Sequence, residues 1–100
     1  MNYIEELATA IKANLDPRLL PRSDTDRLFR IYAVLALVKG IHVTAADIHH
    51  AWAAWQSERW PHSPSLVPFE QLTPEVQSID ESYVDAVRSA ARKRLSANRF

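Results

Sequence analysis

Asp24-Thr25-Asp26-Arg27-Leu28-Phe29-Arg30-Ile31-Tyr32-Ala33-Val34-Leu35-Ala36-Leu37-Val38-Lys39-Gly40 is the stretch around which the rest of the chain must arrange itself. Eight consecutive residues, Ile31 to Val38, are apolar, and a helix apolar on all sides belongs in the middle of a core. A buried strand would show the same run. Leu28, Ile31, Leu35 and Val38, however, recur on one helical face, Ser23, Asp24 or Asp26 offers the start a cap, and Gly40 supplies the stop. A run of eight residues falls far short of the roughly 18 to 20 that cross a bilayer. The stretch is therefore predicted to be a core helix and the hub of the fold.

Composition agrees with a helical globule. The 100 residues, 47% hydrophobic and 24% charged, suit one domain spanning 1–100, and a single glycine argues against a turn-rich β architecture. The predicted class is all-α. With no cysteine, disulfides, thiolate metal sites and thiol nucleophiles are excluded together. Met1 to Glu6 carries acids early and no basic-then-apolar signal, which points to a cytoplasmic site. Twelve basic and twelve acidic residues cancel, so no global field would hold the chain on nucleic acid or an anionic membrane. After Asp85 the charge is one-sided, with Arg88, Arg92, Lys93, Arg94 and Arg99. Such cations suit the end of a helix dipole, and Arg88, Arg92 and Lys93 are the candidates for anion contact.

Outward from the hub, the elements follow from caps and spacing. Asn2 and Glu5 have capping-box spacing, and Tyr3, Ile4, Leu7, Ala8, Ile11 and Leu15 give an amphipathic helix from about Tyr3 to Leu15. Pro17 and Pro21 make Asp16 to Ser23 a connector whose Leu19 and Leu20 tuck against the core. Beyond Gly40, Thr44 and Asp47 form a capping box with Val43 and Ile48 as its staple. The third helix then sets Ile48, Ala51, Trp52 and Trp55 on one arc. Prolines at 61, 64 and 68 forbid continuous helix from Ser57 to Thr73, while Trp60, Leu66, Val67, Phe69 and Leu72 are too apolar for a disordered linker. An ordered, proline-rich loop packed on the helices is predicted there. Thr73-Pro74-Glu75 opens a short helix through Gln77, and Ile79 and Val84 bracket Asp80 as a second staple that launches a final helix from about Glu81 to Leu95. Tyr83, Val87, Ala90 and Ala91 form its inner face, and Ser96 to Phe100 fray. The expected architecture is a bundle of four main helices with an ordered loop between the third and fourth.

Catalytic motifs find no support. His49 and His50 are adjacent on a helix and point about 100° apart, so they do not clasp one metal ion. No serine stands in a nucleophile elbow, and a lone Gly40 makes no phosphate-cradling loop. No metal, cofactor or enzymatic activity is expected. Paired tryptophans on one arc are first of all core, yet indoles also line ligand pockets.

Two stretches carry a family resemblance. Ile48-His49-His50-Ala51-Trp52, followed by Ser63-Pro64-Ser65-Leu66-Val67-Pro68-Phe69-Glu70-Gln71-Leu72-Thr73-Pro74-Glu75-Val76-Gln77-Ser78-Ile79-Asp80, resembles the ryanodine-receptor-type (RyR) repeat domain in its small bacterial and phage versions. The resemblance covers about Thr44 to Ala91, and the first two helices look like those of small actinobacterial and actinobacteriophage proteins. It implies an all-helical, non-catalytic module that senses small ligands, including nucleotide-derived signals in phage–host conflict and anti-defence.

Two binding readings follow. In the first, the proline loop closes over helix three, with Trp52, Trp55, Trp60 and Phe69 as stacking walls and His49 and Arg59 as polar contacts for a small ligand. In the second, the same tryptophan and proline surface docks a host protein or a second copy, since tryptophan is enriched at interface hot spots. Nucleic-acid binding through the basic end ranks below both.

Overall fold

Three of the four long helices begin where a side chain answers one of their first free N–H groups. In the computed structural model, which describes residues 2–21 and 24–97, α1 spans Tyr3–Ala13 with the Asn2 side chain accepting from the Glu5 N–H at 2.9 Å. The third helix, α3 (Ala45–Arg59), has a complete capping box. Asp47 N–H donates to Thr44 Oγ1 at 3.2 Å, and Thr44 N–H donates to Asp47 Oδ2 at 3.0 Å. Val43 and Ile48, either side of that cap, are both fully buried, so the staple is formed as well.

The central helix α2 (Thr25–Lys39) starts differently. Asp24 stands at its N-cap with φ +58° and makes no side-chain cap bond, a left-handed conformation that costs roughly 1–2 kcal/mol outside glycine. Its carbonyl is tied instead to the indole of Trp55, whose Nε1–H donates at 3.2 Å. Ser23, the alternative cap, lies outside the described residues. Gly40 ends the helix at φ +60°, as its place in the sequence predicts.

Cross-links fix the directions of the helices. Lys12 Nζ donates to Thr25 Oγ1 and Glu5 meets Arg30, so α1 and α2 run antiparallel. Arg27 pairs with Glu58 and Lys39 with Asp47, so α2 and α3 do too. The fourth helix, α4 (Pro74–Ala97), crosses back over α1 and α3: Asn14 Nδ2 reaches the Ala86 carbonyl, and Arg88 Nε reaches the Val43 carbonyl at 2.9 Å. The result is an up-down-up-down arrangement of four helices, an all-α fold with no strand among the described residues. Single 3₁₀ turns at Pro17–Leu19, Gly40–His42 and Phe69–Gln71 shape the connections. The radius of gyration, 13.3 Å, equals the roughly 13 Å of a folded chain this long.

At the centre, Phe29, Tyr32 and Tyr83 form an aromatic cluster. Phe29 meets Tyr32 edge-on at 5.4 Å, and Tyr83 lies 5.4 Å from Tyr32. Leu7, Ile11, Leu28, Ile48, Val84 and Val87 close around it. Leu19 and Leu20 pack against this core from the connector, as expected.

Three expectations are corrected. The run Ile31 to Val38 is not enclosed on all sides: Leu28, Phe29, Tyr32, Ala33 and Ala36 face the core, whereas Val34, Leu37 and Val38 are exposed, Val38 by 75%. The face drawn through Leu28, Ile31, Leu35 and Val38 is thus not the inner one. The reason is that α1, α3 and α4 cover only one side of α2. The chain also does not break at Asp80, because α4 is continuous from Pro74. Thr73 Oγ1 caps that start by accepting from the Val76 N–H at 3.4 Å. Nothing between Gln77 and Glu81 interrupts the helix, so Asp80 lies in its interior. Helix extends through Ser96 and Ala97, where fraying was expected, and residues 98–100 lie outside the described residues.

Candidate functional site

The third helix and the early turns of the fourth face each other beneath the connector. Between them is a cleft of about 240 Å³. The connector supplies Leu19, Leu20 and Pro21, α2 supplies Tyr32, α3 supplies His49 and Trp52, the loop supplies Ser65, and α4 supplies Val76, Ile79, Asp80 and Tyr83. Most of this surface is apolar. Among the described residues no arginine or lysine lines it.

The proline loop, ordered as predicted, packs against one end of the cleft. His49, buried on α3, donates its Nε2–H to the Val67 carbonyl at 2.5 Å, which assigns the proton to that nitrogen because a carbonyl only accepts. Gln77 Nε2 donates to the Phe69 carbonyl at 3.0 Å, and Ser63 is buried. These contacts hold the segment from both flanking helices. The His49 ring stacks on Trp52 at 5.7 Å and 22°, with Phe69 tilted against it at 6.4 Å.

Asp80 is the anomaly. It is 9% exposed, and its Oδ2 has no hydrogen-bond partner among the described residues. Burial pushes its carboxyl up to about 6, against the pull of the His49 ring and with the charge of Glu81 adding to the rise. Tyr83, one turn on, donates its hydroxyl to the Leu19 carbonyl at 2.7 Å. Burial, with Asp80 contributing, pushes the Tyr83 phenol up to about 12. Tyr32 is raised well above the usual range, again by burial first. An acid in such a setting is a marker for functional sites.

The residues predicted to form one aromatic pocket are divided by the structure. His49 and Trp52 line the cleft, and Phe69 stands behind His49. Trp55 is 3% exposed and belongs to the core, with the Arg59 guanidinium over its ring at 4.5 Å. Trp60 is 53% exposed, and neither it nor Arg59 lines the cleft. Four walls of indole and phenyl are therefore not assembled: on α3, Trp52 and Trp55 point to different neighbours. Of the predicted anion contacts, Arg88 is spent on the Val43 carbonyl, while Arg92 and Lys93 are exposed on α4. Among the described residues no group of three or more His, Asp or Glu side chains is placed to hold a metal ion. No helix among them is long and apolar enough to cross a membrane.

Asp80, Tyr83 and the connector walls were the residues missed. The signal was present once α4 is begun at Thr73-Pro74. Val76, Asp80, Tyr83 and Val87 then recur at helical spacing, which puts an acid on the inner stripe.

Residues 2–92 match the family described as Domain of unknown function (DUF7701). The chain belongs to that family. The match takes in the first three helices whole and the fourth as far as Arg92, so the cleft and every described residue lining it lie within the DUF7701 region. No curated protein and no solved structure matches this DUF7701 chain.

Proposed function

We propose that this protein is a non-enzymatic binding module whose cleft between α3, α4 and the connector takes a small ligand. One observation carries the reading: a carboxyl with an unanswered oxygen lies buried on the wall of an otherwise apolar cleft. Buried polar atoms are nearly always paired, and an unpaired one marks a place where a water, an ion or a ligand can supply the missing bond. Apolar walls with a few fixed polar groups are the usual make-up of a ligand site. A non-catalytic role is supported by His49, the one imidazole in the cleft, whose Nε2 is spent on the Val67 carbonyl. The resemblance to the small RyR-type repeat of bacteria and phage supplies the candidate ligands, nucleotide-derived signals in phage–host conflict. The cleft is the size of a base rather than a whole nucleotide, and its described walls carry no cation to hold phosphates inside it.

The test is calorimetric titration against cyclic dinucleotides and adenine-containing signals, followed in parallel by tryptophan fluorescence. Saturable heat that is lost in Trp52→Ala supports the reading. Silence across the panel, with undisturbed fluorescence, counts against these ligands.

A second reading is self-association, and a specific observation favours it. Ile31, Val34, Leu35 and Val38 lie along the outer side of α2, bordering an open groove completed by Asp47, His50 and Ala51. Their three-and-four spacing is the one by which two helices mesh.

A further inference from the structure

We propose that the cleft takes a flat ligand whose edge presents paired N–H donors, of amidinium or guanidinium type, with that edge on the Asp80 carboxyl and its ring against the Trp52–His49 face. The inference rests on the binding-module reading and narrows it to one ligand chemistry.

The polarity of the walls carries the argument. Among the described residues Asp80 is the one carboxyl lining the cleft, and no lysine or arginine joins it there. On the described walls an anionic ligand would meet a carboxylate and no cation. A forked N–H donor would meet an acceptor that nothing in the described chain has answered. Two of the polar neighbours are already committed, Tyr83 to the Leu19 carbonyl and His49 Nε2 to the Val67 carbonyl. Once the Asp80 side chain turns its shielded Oδ2 toward the cleft, a carboxylate and an N–H fork make two parallel charge-assisted bonds, among the stronger pairings in a dry site. Trp52, half-buried and stacked on His49, offers a π face of the kind that attracts cation-bearing rings. Size agrees, since a cavity of about 150 Å³ accepts benzene and the cleft's volume of about 240 Å³ adds room for the head group.

The charged and titratable groups facing Asp80 are His49 from α3, Tyr32 from α2, and Glu81 and Tyr83 on its own helix. Among the described residues the connector and the loop bring only Leu19, Leu20, Pro21 and Ser65 to the cleft, none of which titrates. Asp80 must give up its proton to accept both N–H groups. Affinity for a permanently charged fork therefore rises from about pH 5 to about pH 7.

The full chain should be titrated with benzamidine, benzoate and toluene, followed by calorimetry and by the NMR signals of the Trp52 indole and the Val76 and Ile79 methyls. Benzamidine is expected to shift those signals, to bind more tightly as pH rises, and to lose roughly ten- to hundred-fold in affinity in Asp80→Asn. It should also lower the midpoint of the Asp80 carboxyl ¹³C titration in the unmodified protein, a readout independent of any variant's folding. Benzamidine binding equally well to Asp80→Asn, an unmoved carboxyl midpoint, or a preference for benzoate or toluene would overturn the proposal while leaving a ligand-binding cleft in place. Failure of all three probes to perturb the cleft would overturn both readings.

Discussion

Asp80 is a carboxyl that folding moves into a less favourable setting. In the unfolded chain it releases its proton near pH 4, whereas in the folded one burial delays release to about 6. Between those values the native state binds more protons than the unfolded state. The stability this group contributes is thus complete below about pH 4 and is lost as pH rises through about 6. About two pH decades at roughly 1.4 kcal/mol each put the loss on the order of 3 kcal/mol. Asp80→Asn removes the charge and keeps the shape, so it should melt higher at neutral pH and lack the decline between about pH 4 and pH 6. Urea denaturation across that range measures it, and an unchanged slope would assign the decline to another group. Trp55 presents the opposite case, a polar atom that is answered. Its indole N–H holds the carbonyl of left-handed Asp24, and Trp55→Phe leaves that carbonyl without its partner. A loss of about 1–2 kcal/mol is expected, read as a fall in Tm of roughly 4–8 °C per kcal/mol for a domain of this size. The inward place of Asp80 was legible only once α4 is begun at Thr73-Pro74, and the bond from Trp55 was not legible from local pattern at all. Trp55 could be placed on an arc, but not against Asp24, because that contact joins elements through the fold.

At the level of elements, caps decided where helices begin and were mostly legible. Asn2, Thr44 with Asp47, and Thr73 with Pro74 all act as their spacing predicts. The misreading of Asp80 came from the same rule. An aspartate flanked by Ile79 and Val84 satisfies the staple pattern, yet a cap works only where the preceding chain is not already helical. Pro74 had started α4 less than two turns earlier. Propagating a helix costs less than stopping and nucleating another, so the local signal lost. Gly40 shows a stop signal that held. No heavy atom lies within 4 Å of where its Cβ would be, but its φ is +60°, so the whole effect of Gly40→Ala is backbone strain rather than a clash. We expect a destabilisation of about 1–2 kcal/mol, with the folded-state spectrum unchanged. A neutral result in chemical denaturation would mean that the α2–α3 joint relaxes to negative φ at little cost.

For the whole molecule, the all-α class and the ordered loop could be read from the chain, because one glycine, three cap motifs and proline-spaced apolar residues agree with each other. Which side of α2 stays open could not be read, because an eight-residue apolar run satisfies every helical face and only the placement of the other three helices chooses among them. That choice leaves Val34, Leu37, Val38 and Ile41 exposed, with Ile31 and Leu35 half-buried beside them. Such a contiguous apolar strip is uncommon on a monomer that meets nothing. Its length limits what it can hold. From Ile31 to Ile41 α2 and the turn after it run about 15 Å, too short for the roughly 1,200 Å² of a stable interface. A second copy packed along α2 would therefore associate weakly, with a concentration-dependent dimer in sedimentation equilibrium rather than a permanent one. Val38→Glu tests the strip with little risk to the core, since the side chain is 75% exposed. The variant should keep its melting temperature and shift the equilibrium to monomer. If the unmodified chain stays monomeric at millimolar concentration and the variant sediments identically, self-association through α2 is excluded, and the strip must be explained by another partner.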